Sequence, residues 1–383
     1  MYSGNQQGMK EHKQYIAKTL ELAKKGKGLV SPNPLAGALI VKNNRIISNG
    51  WHKAFGMPHA EIDALKKAGD KGKGATLYIN LEPCCHYGKT APCTKAIIAA
   101  GIKQVVCPME DPNPLVAGKG FKELEKNGIT VKRGILKEDA EKLNRAYITY
   151  ITQKRPYVIL KWAQTLDGKI ATGNGDSKWI TDEKTRDFVK RLRFETDALL
   201  VGINTIIRDN PSLDYIIPSF QTVKRALERK RYKKIILDPH LKMPRQSRLW
   251  EDQKSDILLV VSDKTSSQKI EGYRGRERCD ILLIPEKNGE FHLRTLMDEL
   301  YRKEIGIIMV EGGNYTLTSF WEEKLADEIM VFTGNKVLGG HNSLSPISGQ
   351  EREHFSEAVK IKYSETKMIG NDLFVRGEPC FQG

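Results

Sequence analysis

The feature that most constrains this chain is a histidine and two cysteines spaced as ligands of a catalytic metal. His59-Ala-Glu61 is followed by Pro83-Cys84 and then by Cys93. Zinc binds nitrogen and sulfur donors tetrahedrally, and a catalytic zinc site keeps one position open for water. Three protein ligands, His59, Cys84 and Cys93, leave that position open. We therefore expect a fold that brings these side chains together, with Glu61 as the proton carrier.

The order H-x-E and then P-C-x-x-C is the signature of zinc-dependent nucleobase deaminases. This chain departs from it, because Cys84 and Cys93 are separated by a longer segment. Zinc lowers the pKa of its bound water to about 7, which makes hydroxide available at neutral pH. Glu61 would accept the proton and pass it to a departing amine. The predicted chemistry is hydrolytic deamination.

Neighbouring residues compete for these roles. Cys85 adjoins Cys84 and would point elsewhere if Cys84 faces the metal. His86 lies between the two thiols and either ligates the metal or binds substrate. We favour substrate binding, because three ligands are already assigned. His52, seven residues before His59, is either a substrate contact or a structural histidine.

Composition places the chain among water-soluble proteins. Its 383 residues are enough for two domains of roughly 100–200 residues each. Hydrophobic residues make up 39% and charged residues 28%. No stretch approaches the ~20 apolar residues of a membrane span, and the first thirty residues lack an apolar signal core. We expect a cytoplasmic protein, in which clustered cysteines indicate metal binding rather than disulfides.

The net charge of +15 should attract anions such as nucleic acids, nucleotides or phosphorylated metabolites. The clearest basic run is Lys224 to Lys234, and no aromatic stacking pattern accompanies it. We interpret this run as a solvated surface, with nucleic-acid contact as the alternative.

Strand and helix patterns alternate through the chain, which predicts α/β architecture. A polar basic stretch, Thr152 to Pro156, separates two such alternations, so we expect domains over residues 1–152 and 153–383. The strand order of the second domain does not follow from its pattern. The helices predicted in the first domain are Lys10 to Lys25, Ala60 to Ala68, Thr90 to Ala100, Phe121 to Lys126 and Lys137 to Tyr150.

The first half resembles the deaminase half of the bifunctional deaminase/reductase family of riboflavin biosynthesis. The resemblance is carried by Ser31-Pro-Asn-Pro34, Gly50-Trp-His52, His59-Ala-Glu61, Glu82-Pro-Cys84, His86-Tyr-Gly-Lys-Thr90 and Asp111-Pro-Asn-Pro114. In that family an insertion with substrate-binding residues separates the two cysteines, which accounts for the long spacing. The resemblance implies a cytidine-deaminase-like three-layer domain whose substrate-binding residues are Asn33, His52, His86 and Lys89. Two positions depart from the family: Cys85 stands where serine is usual, and Ala91 where proline is usual.

The second half carries a weaker signal of its own. It contains no G-x-G-x-x-G fingerprint, but a predicted buried strand ends at Glu311, followed by Gly312, Gly313 and a helix that begins near Tyr315. Glycines let a ligand approach the backbone, and a helix N-terminus favours phosphate. A plain tight turn is the alternative explanation of the two glycines.

Several segments of the second half together resemble the reductase half of the same family, whose fold is similar to dihydrofolate reductase. They are Leu160-Lys-Trp-Ala163, Gly173 to Thr181, Gly202-Ile-Asn-Thr205, Asp209-Asn-Pro211 and Val310 to Asn314. The resemblance implies an α/β domain that binds NADPH. The implied cofactor-binding residues are Lys161, Ala163, Trp179, Thr205, Gly313, Asn314, Tyr315, Thr316, Leu317, Thr318 and Ser319. The implied substrate-binding residues are Ser177, Asp209, Leu213 and Glu311.

One departure concerns the substrate phosphate. The family commonly has an arginine a few residues after the Asp-Asn-Pro segment, whereas this chain reads Pro211-Ser-Leu-Asp-Tyr-Ile216. Arg208 directly precedes Asp209, at a position that usually holds a small residue. We therefore hypothesise that Arg208 supplies the missing positive charge.

The resemblance predicts an enzyme that catalyses two consecutive steps of riboflavin biosynthesis. The first step is zinc-dependent deamination of 2,5-diamino-6-(5-phosphoribosylamino)pyrimidin-4(3H)-one, with one zinc ion per chain. The second is reduction of the ribosyl group to ribityl by NADPH. We expect phosphorylated small-molecule substrates, no nucleic-acid or membrane partner, and a homo-oligomer. The alternatives are a nucleic-acid-editing deaminase with an accessory domain, a non-enzymatic scaffold, and an enzyme in which only one half is active.

Overall fold

The computed structural model describes residues 2–87, 91–219, 232–287 and 289–381, with side chains from residue 8 onward. Two compact units divide the described chain, one up to Lys154 and the other from Arg155 onward. Among the described residues, no helix is both long enough and apolar enough to cross a membrane.

The first unit is a five-stranded sheet with the order β2-β1-β3-β4-β5. Strand β1 is antiparallel to β2 and β3, and the remaining pairs are parallel. Its elements are α1 Tyr2–Lys24, β1 Gly37–Lys42, β2 Arg45–Trp51, α2 Ala60–Ala68, β3 Thr76–Ile79, α3 Cys93–Ala99, β4 Gln104–Cys107, α4 Lys119–Lys126, β5 Thr130–Arg133, α5 Lys137–Leu143 and α6 Arg145–Gln153.

Helices cover both faces of this sheet, because alternate strand residues point to opposite sides. Ala38 and Ile40 of β1 pack in a core with α2, α3 and α4. Leu39 and Val41 of the same strand pack in a second core with α1, α5 and α6. The predicted three-layer arrangement is confirmed.

The single helix predicted over Lys137 to Tyr150 is wrong, since two helices meet at Asn144. Asn144 is buried, and its side-chain amide bonds both the N–H and the carbonyl of Leu35 at 2.8 and 3.1 Å. An asparagine committed to a distant backbone segment has no signature in helical periodicity. Strand β5 was also not predicted, and α1 begins earlier than the predicted Lys10.

The second unit is built on a nine-stranded sheet with the order β10-β9-β8-β7-β13-β6-β14-β16-β15. The strands from β10 to β14 are parallel, and the last two pairings are antiparallel. The strands are β6 Tyr157–Gln164, β7 Ala198–Gly202, β8 Tyr232–Leu237, β9 Ser255–Ser262, β10 Cys279–Ile284, β11 Glu286–Lys287, β12 Glu290–Phe291, β13 Ile307–Glu311, β14 Glu328–Thr333, β15 Lys360–Ile369 and β16 Asp372–Cys380. The helices are α7 Glu183–Phe194, α8 Ile203–Asp209, α9 Ser267–Glu271, α10 Leu293–Arg302 and α11 Asn314–Glu322.

The sheet order brings the predicted reductase residues to one edge. Strand β13 lies between β7 and β6, and Glu311 is the register partner of Lys161. Ligands of open α/β sheets bind beyond the carboxyl ends of the strands. The expected site therefore lies where β6, β7 and β13 end. The predicted α/β class of this unit is confirmed, whereas α8 and β15 were not predicted.

Candidate active sites

Three metal-binding side chains meet at the edge of the first sheet. His59 directly precedes α2, Cys93 is the first residue of α3, and Cys84 follows the end of β3. Nδ1 of His59 lies 3.2 Å from Sγ of Cys93 and 3.6 Å from Sγ of Cys84. The donor atoms of the three residues all lie within 4.8 Å of one another. The structure therefore brings together the residues that the sequence predicted as ligands.

This donor set suits zinc. On a tetrahedral zinc ion, imidazole nitrogen and thiolate sulfur donors lie ~3.5–3.8 Å apart, given bond lengths of about 2.0 and 2.3 Å. The spacings around His59 are close to those values. In the described part of the chain, Cys85 and His86 are not in the group, so three donors would leave one position for water.

Glu61 lies in the first turn of α2 and is 3% exposed. Burial raises the pKa of this carboxyl to about 7, against the opposing effect of His59. The three predicted ligands, His59, Cys84 and Cys93, are the other residues whose charges or hydrogen bonds shift the pKa of Glu61. A carboxyl group poised near neutral pH can both accept and release a proton.

Half-buried Asn33 and buried His52 form a pair near these ligands. The Asn33 amide nitrogen lies 3.2 Å from Nε2 of His52, and Nδ1 of His52 lies 3.2 Å from the Pro58 carbonyl oxygen. The ring of His52 also stacks edge-on against His59, with centroids 5.5 Å apart. Both ring nitrogens of His52 are thus engaged by the protein, which leaves Asn33 better placed for a substrate than His52.

His86 has a polar atom with no partner. Its Nδ1 is buried and makes no hydrogen bond to the described residues. A buried polar atom without a partner is costly, and a ligand can satisfy it. This favours the interpretation of His86 as a substrate contact. Lys89, the fourth predicted substrate residue, lies outside the described residues.

Glu311 in the second unit is held by two cations. Arg193 binds it in a two-pronged contact, from Nε at 2.8 Å and from a terminal guanidinium nitrogen at 2.9 Å. Nζ of Lys161 lies 3.4 Å from the same carboxylate. Burial opposes ionisation of Glu311, but Arg193 and Lys161 outweigh it and lower its pKa to about 2. The carboxylate is therefore charged at neutral pH.

The N-terminus of α11 is the candidate phosphate site of the cofactor. Gly313 is its N-cap and contributes no side-chain cap, so the first N–H groups have no intrahelical acceptor. Helix N-termini with free N–H groups bind phosphate. Gly313, Asn314, Tyr315 and Thr316 surround this end, whereas the helix itself begins one residue before the predicted Tyr315.

The later residues of the predicted cofactor segment are engaged elsewhere. Leu317 is fully buried in the core, and its N–H donates to the Gly313 carbonyl. Thr318 accepts a hydrogen bond from the Ser348 N–H, and the Ser319 hydroxyl donates to the Tyr315 carbonyl. Leu317 therefore offers no polar group to a cofactor, because the inner face of the helix packs on the sheet.

The remaining predicted residues lie around the same strand ends. Lys161 and Ala163 are in the second half of β6, and Thr205 is in the first turn of α8. Trp179 is 61% exposed, and the guanidinium of Arg186 stacks on its ring at 4.4 Å. Ser177 is half-buried in the loop before it.

Arg208 and Leu213 lie on either side of the Asp209-Asn-Pro segment. Arg208 is exposed, and its guanidinium approaches Gly175 so closely that a Cβ built there would lie 2.5 Å from a guanidinium nitrogen. Gly175 is two residues before Ser177. The structure thus brings Arg208 to the loop that carries a predicted substrate residue, while Leu213 is buried and Asp209 half-buried.

The described end of the predicted basic run is not a solvated surface. Lys234 is completely buried and pairs with Asp252, and Lys233 pairs with Asp256. The solvated-surface interpretation is therefore wrong for Lys234, because β8 lies inside the sheet. The part from Lys224 to Arg231 lies outside the described residues.

The chain matches two protein families. Residues 156–375 match the RibD C-terminal domain, and residues 9–109 match the cytidine and deoxycytidylate deaminase zinc-binding region. The riboflavin biosynthesis protein RibD of Aquifex aeolicus is 42% identical over 363 residues, which covers 95% of this chain and 97% of that protein. The chain belongs to the RibD family.

Other RibD proteins are similar over nearly their whole length. That of Escherichia coli strain K12 is 35% identical over 364 residues, covering 94% of this chain and 97% of its own. Among solved structures, Acinetobacter baumannii RibD, form 2, has a TM-score of 0.84 at 30% identity, covering 97% of this chain and 99% of its own. A deaminase/reductase from Thermotoga maritima has a TM-score of 0.81 at 36% identity, covering 97% and 100%.

Membership in the RibD family makes this chain a bifunctional enzyme of riboflavin biosynthesis. A zinc-binding deaminase domain comes first, and a RibD reductase domain follows it. Its cofactors are zinc and NADPH, and the cluster of one histidine and two cysteines is the matching metal-binding group.

Glu82 of this RibD protein was not predicted to have a role, although it organises the metal site. Its buried carboxyl group accepts hydrogen bonds from the backbone N–H groups of Asp111, Gly118 and Phe121 at 2.9–3.1 Å. Glu82 lies two residues before Cys84. It therefore ties the segment between β3 and the metal ligand Cys84 to the loop that begins at Asp111 and to the first turn of α4.

Arg193 is the second residue that sequence reasoning missed. On the sequence it is one of several basic residues in α7, and its contact with Glu311 appears first in the structure. A signal was present in its apolar surroundings, Leu192 and Phe194, but that pattern is also common in surface helices.

Proposed function

We propose that this RibD enzyme deaminates 2,5-diamino-6-(5-phosphoribosylamino)pyrimidin-4(3H)-one in residues 1–152 and reduces the product in residues 153–383. The Thermotoga maritima relative carries both activities in its title: diaminohydroxyphosphoribosylaminopyrimidine deaminase and 5-amino-6-(5-phosphoribosylamino)uracil reductase. The observation that carries the proposal is the convergence of His59, Cys84 and Cys93 next to the buried carboxyl of Glu61.

In the first reaction, His59, Cys84 and Cys93 would hold zinc, which would act as a Lewis acid and make hydroxide available at neutral pH. Glu61 accepts a proton from the attacking water and delivers it to the departing amino group. That group leaves as ammonia, and the ring carbon retains the oxygen. Asn33 and His86 orient the pyrimidine through the amide and the unpaired Nδ1 described above.

In the second reaction, bound NADPH supplies a hydride. The ribose would open to an imine, whose C1 would take that hydride while its nitrogen takes a proton from water, which yields the ribityl chain. Glu311 is charged and suits this step, because a carboxylate accepts hydrogen bonds from sugar hydroxyls and stabilises a cationic imine. Lys161 and Arg193 hold that carboxylate in place.

We also propose phosphorylated pyrimidines as the partners of this enzyme, a cytoplasmic location and a homo-oligomeric state, with no role for nucleic acid. The net charge of +15 supports binding of phosphorylated substrates. Light scattering measures the molar mass of the purified protein with and without an added oligonucleotide. It therefore tests both the homo-oligomeric state and the absence of nucleic-acid binding. A monomer, or a complex with the oligonucleotide at physiological salt, would contradict this part.

Mass spectrometry of the products tests the proposal. Purified enzyme with the diaminopyrimidine and no NADPH should give only the deaminated ribosyl product. Addition of NADPH should convert that product to the ribityl compound, which carries two more hydrogens. Recovery of the unchanged diaminopyrimidine from zinc-loaded enzyme would refute the proposal.

A further inference from the structure

Leu213, which the family resemblance implies as a substrate contact of the reductase, has an unusual backbone conformation. Its φ is +54°, in the left-handed region, and its side chain is buried. A residue with a Cβ adopts this conformation only at a cost in free energy. Such a conformation persists when the surrounding structure enforces it.

Two cations bind the carbonyl groups on either side of Leu213. Nζ of Lys234 donates to the carbonyl oxygen of Ser212 at 2.6 Å. The guanidinium of Arg193 donates to the carbonyl oxygen of Asp214 at 2.8 Å. The peptide group that precedes Leu213 and the one that follows Asp214 are therefore both held by cations.

Burial of the charged Lys234 side chain at this position costs free energy. Its side chain is 0% exposed in the middle of the sheet, and its ammonium group pairs with Asp252 at 2.5 Å. A buried ion pair often stabilises a fold no better than apolar residues of similar volume. An apolar side chain could fill the space next to Asp252, but it could not donate a hydrogen bond to Ser212.

The same turn is tied to the charged centre of the reductase. Arg193 reaches Asp214 with one nitrogen and grips Glu311 with two others. The position of Leu213 is thus coupled to that of the carboxylate through one guanidinium group.

We infer that Lys234 is a positioning residue of the reductase site, which, together with Asp252, holds the turn from Ser212 to Asp214 against Arg193, the residue that binds Glu311. This inference rests on the proposed reductase function. Lys234 does not itself contact the substrate and acts only through the turn that it holds. Its loss should therefore weaken substrate binding and leave the NADPH site unchanged.

The test compares Lys234→Met with Lys233→Met, a matched control one residue away whose ammonium pairs with Asp256 at 3.3 Å. We expect Lys234→Met to raise the reductase KM for the deaminated substrate by about tenfold, less than the roughly hundredfold that a displacement of about 1 Å can cause. kcat and the Kd for NADPH should change little. Lys233→Met should match wild type, and Lys234→Arg, which retains a donor, should recover most of the affinity.

Two measurements on each sample report on folding. Deaminase activity reports on the first unit, and NADPH binding reports on the second. If Lys234→Met fails to bind NADPH, Asp252→Asn takes its place, with the same rise in KM expected. An unchanged KM in a variant that binds NADPH would overturn the inference, and so would an equal effect in Lys233→Met. Wild-type enzyme that does not oxidise NADPH would instead refute the proposed function and, with it, this role.

Discussion

The side-chain amide nitrogen of Asn33 lies 3.2 Å from Nε2 of His52, whose Nδ1 lies 3.2 Å from the carbonyl oxygen of Pro58. A carbonyl oxygen only accepts, so Nδ1 carries the proton and Nε2 accepts the hydrogen bond from Asn33. Burial lowers the pKa of His52 to about 4, which keeps the ring neutral at physiological pH. His52 thereby fixes Asn33 with its amide oxygen free for the substrate.

The first prediction concerns this pair. His52→Phe should raise the deaminase KM by roughly 5- to 150-fold, equivalent to about 1–3 kcal/mol, because Asn33 loses its orienting acceptor. Asn33→Ala should raise the deaminase KM by a similar factor, and the KM of the double variant should be little higher than that of either single variant. Steady-state deaminase kinetics measure this, and additive losses would contradict the assigned contact.

The second prediction concerns Gly120 in α4. A Cβ at this position would lie 2.2 Å from the carbonyl oxygen of Pro83, directly before the ligand Cys84. Gly120→Ala should therefore displace the strand end and lower the zinc content per chain, at a cost of about 1–3 kcal/mol in stability. Gly72→Ala is the control, since a Cβ there would make only an ordinary contact at 3.4 Å. Full zinc occupancy in Gly120→Ala would argue against this arrangement.

The third prediction concerns acid stability. The folded-state pKa of Glu311 is about 2, below its ordinary value of 4.5, so the unfolded chain binds the proton more tightly. The stabilisation is complete above pH 4.5 and is lost as the pH falls toward 2, with an upper limit of about 3 kcal/mol. The free energy of unfolding, measured with urea across this pH range, should depend more steeply on pH in wild type than in Glu311→Gln. Parallel pH profiles would show that Glu311 is not held as described.

The fourth prediction concerns Arg208, whose guanidinium lies beside Gly175 near Ser177. Arg208→Ala should raise the reductase KM by roughly 10- to 150-fold, the scale of a charge-assisted hydrogen bond of about 1.5–3 kcal/mol. The effect should disappear with a substrate that lacks the phosphate. Arg191→Ala, an exposed arginine on α7, is the charge-matched control. An unchanged KM in Arg208→Ala would exclude it as the phosphate contact.

The metal site could be predicted because its chemistry is local. His59, Cys84 and Cys93 each lie at a strand end or a helix start, and such positions converge on one edge of an α/β sheet. Histidine and cysteine side chains restrict which metal can bind. Their order along the chain was therefore sufficient to predict a zinc site. The supporting contacts of Glu82 and Asn144 depend on backbone groups far away in sequence, and no periodicity records them.

Charge was the property that sequence reasoning interpreted least well. Lys234 was interpreted as the end of a basic surface run, and Arg193 was given no role. Strand order decides both cases, because β8 and β13 are interior strands whose neighbours bury Lys234 and bring Glu311 to Arg193. That order was not readable from the spacing of the elements.

The most direct test of the central claim is NADPH oxidation by purified wild type and Glu61→Gln with the diaminopyrimidine as substrate. Wild type should oxidise NADPH, whereas Glu61→Gln should not, because its substrate is never deaminated. Addition of the pre-deaminated compound should restore oxidation by Glu61→Gln to the wild-type rate. Oxidation by Glu61→Gln with the diaminopyrimidine, or failure of the deaminated compound to restore it, would contradict two consecutive reactions on one chain.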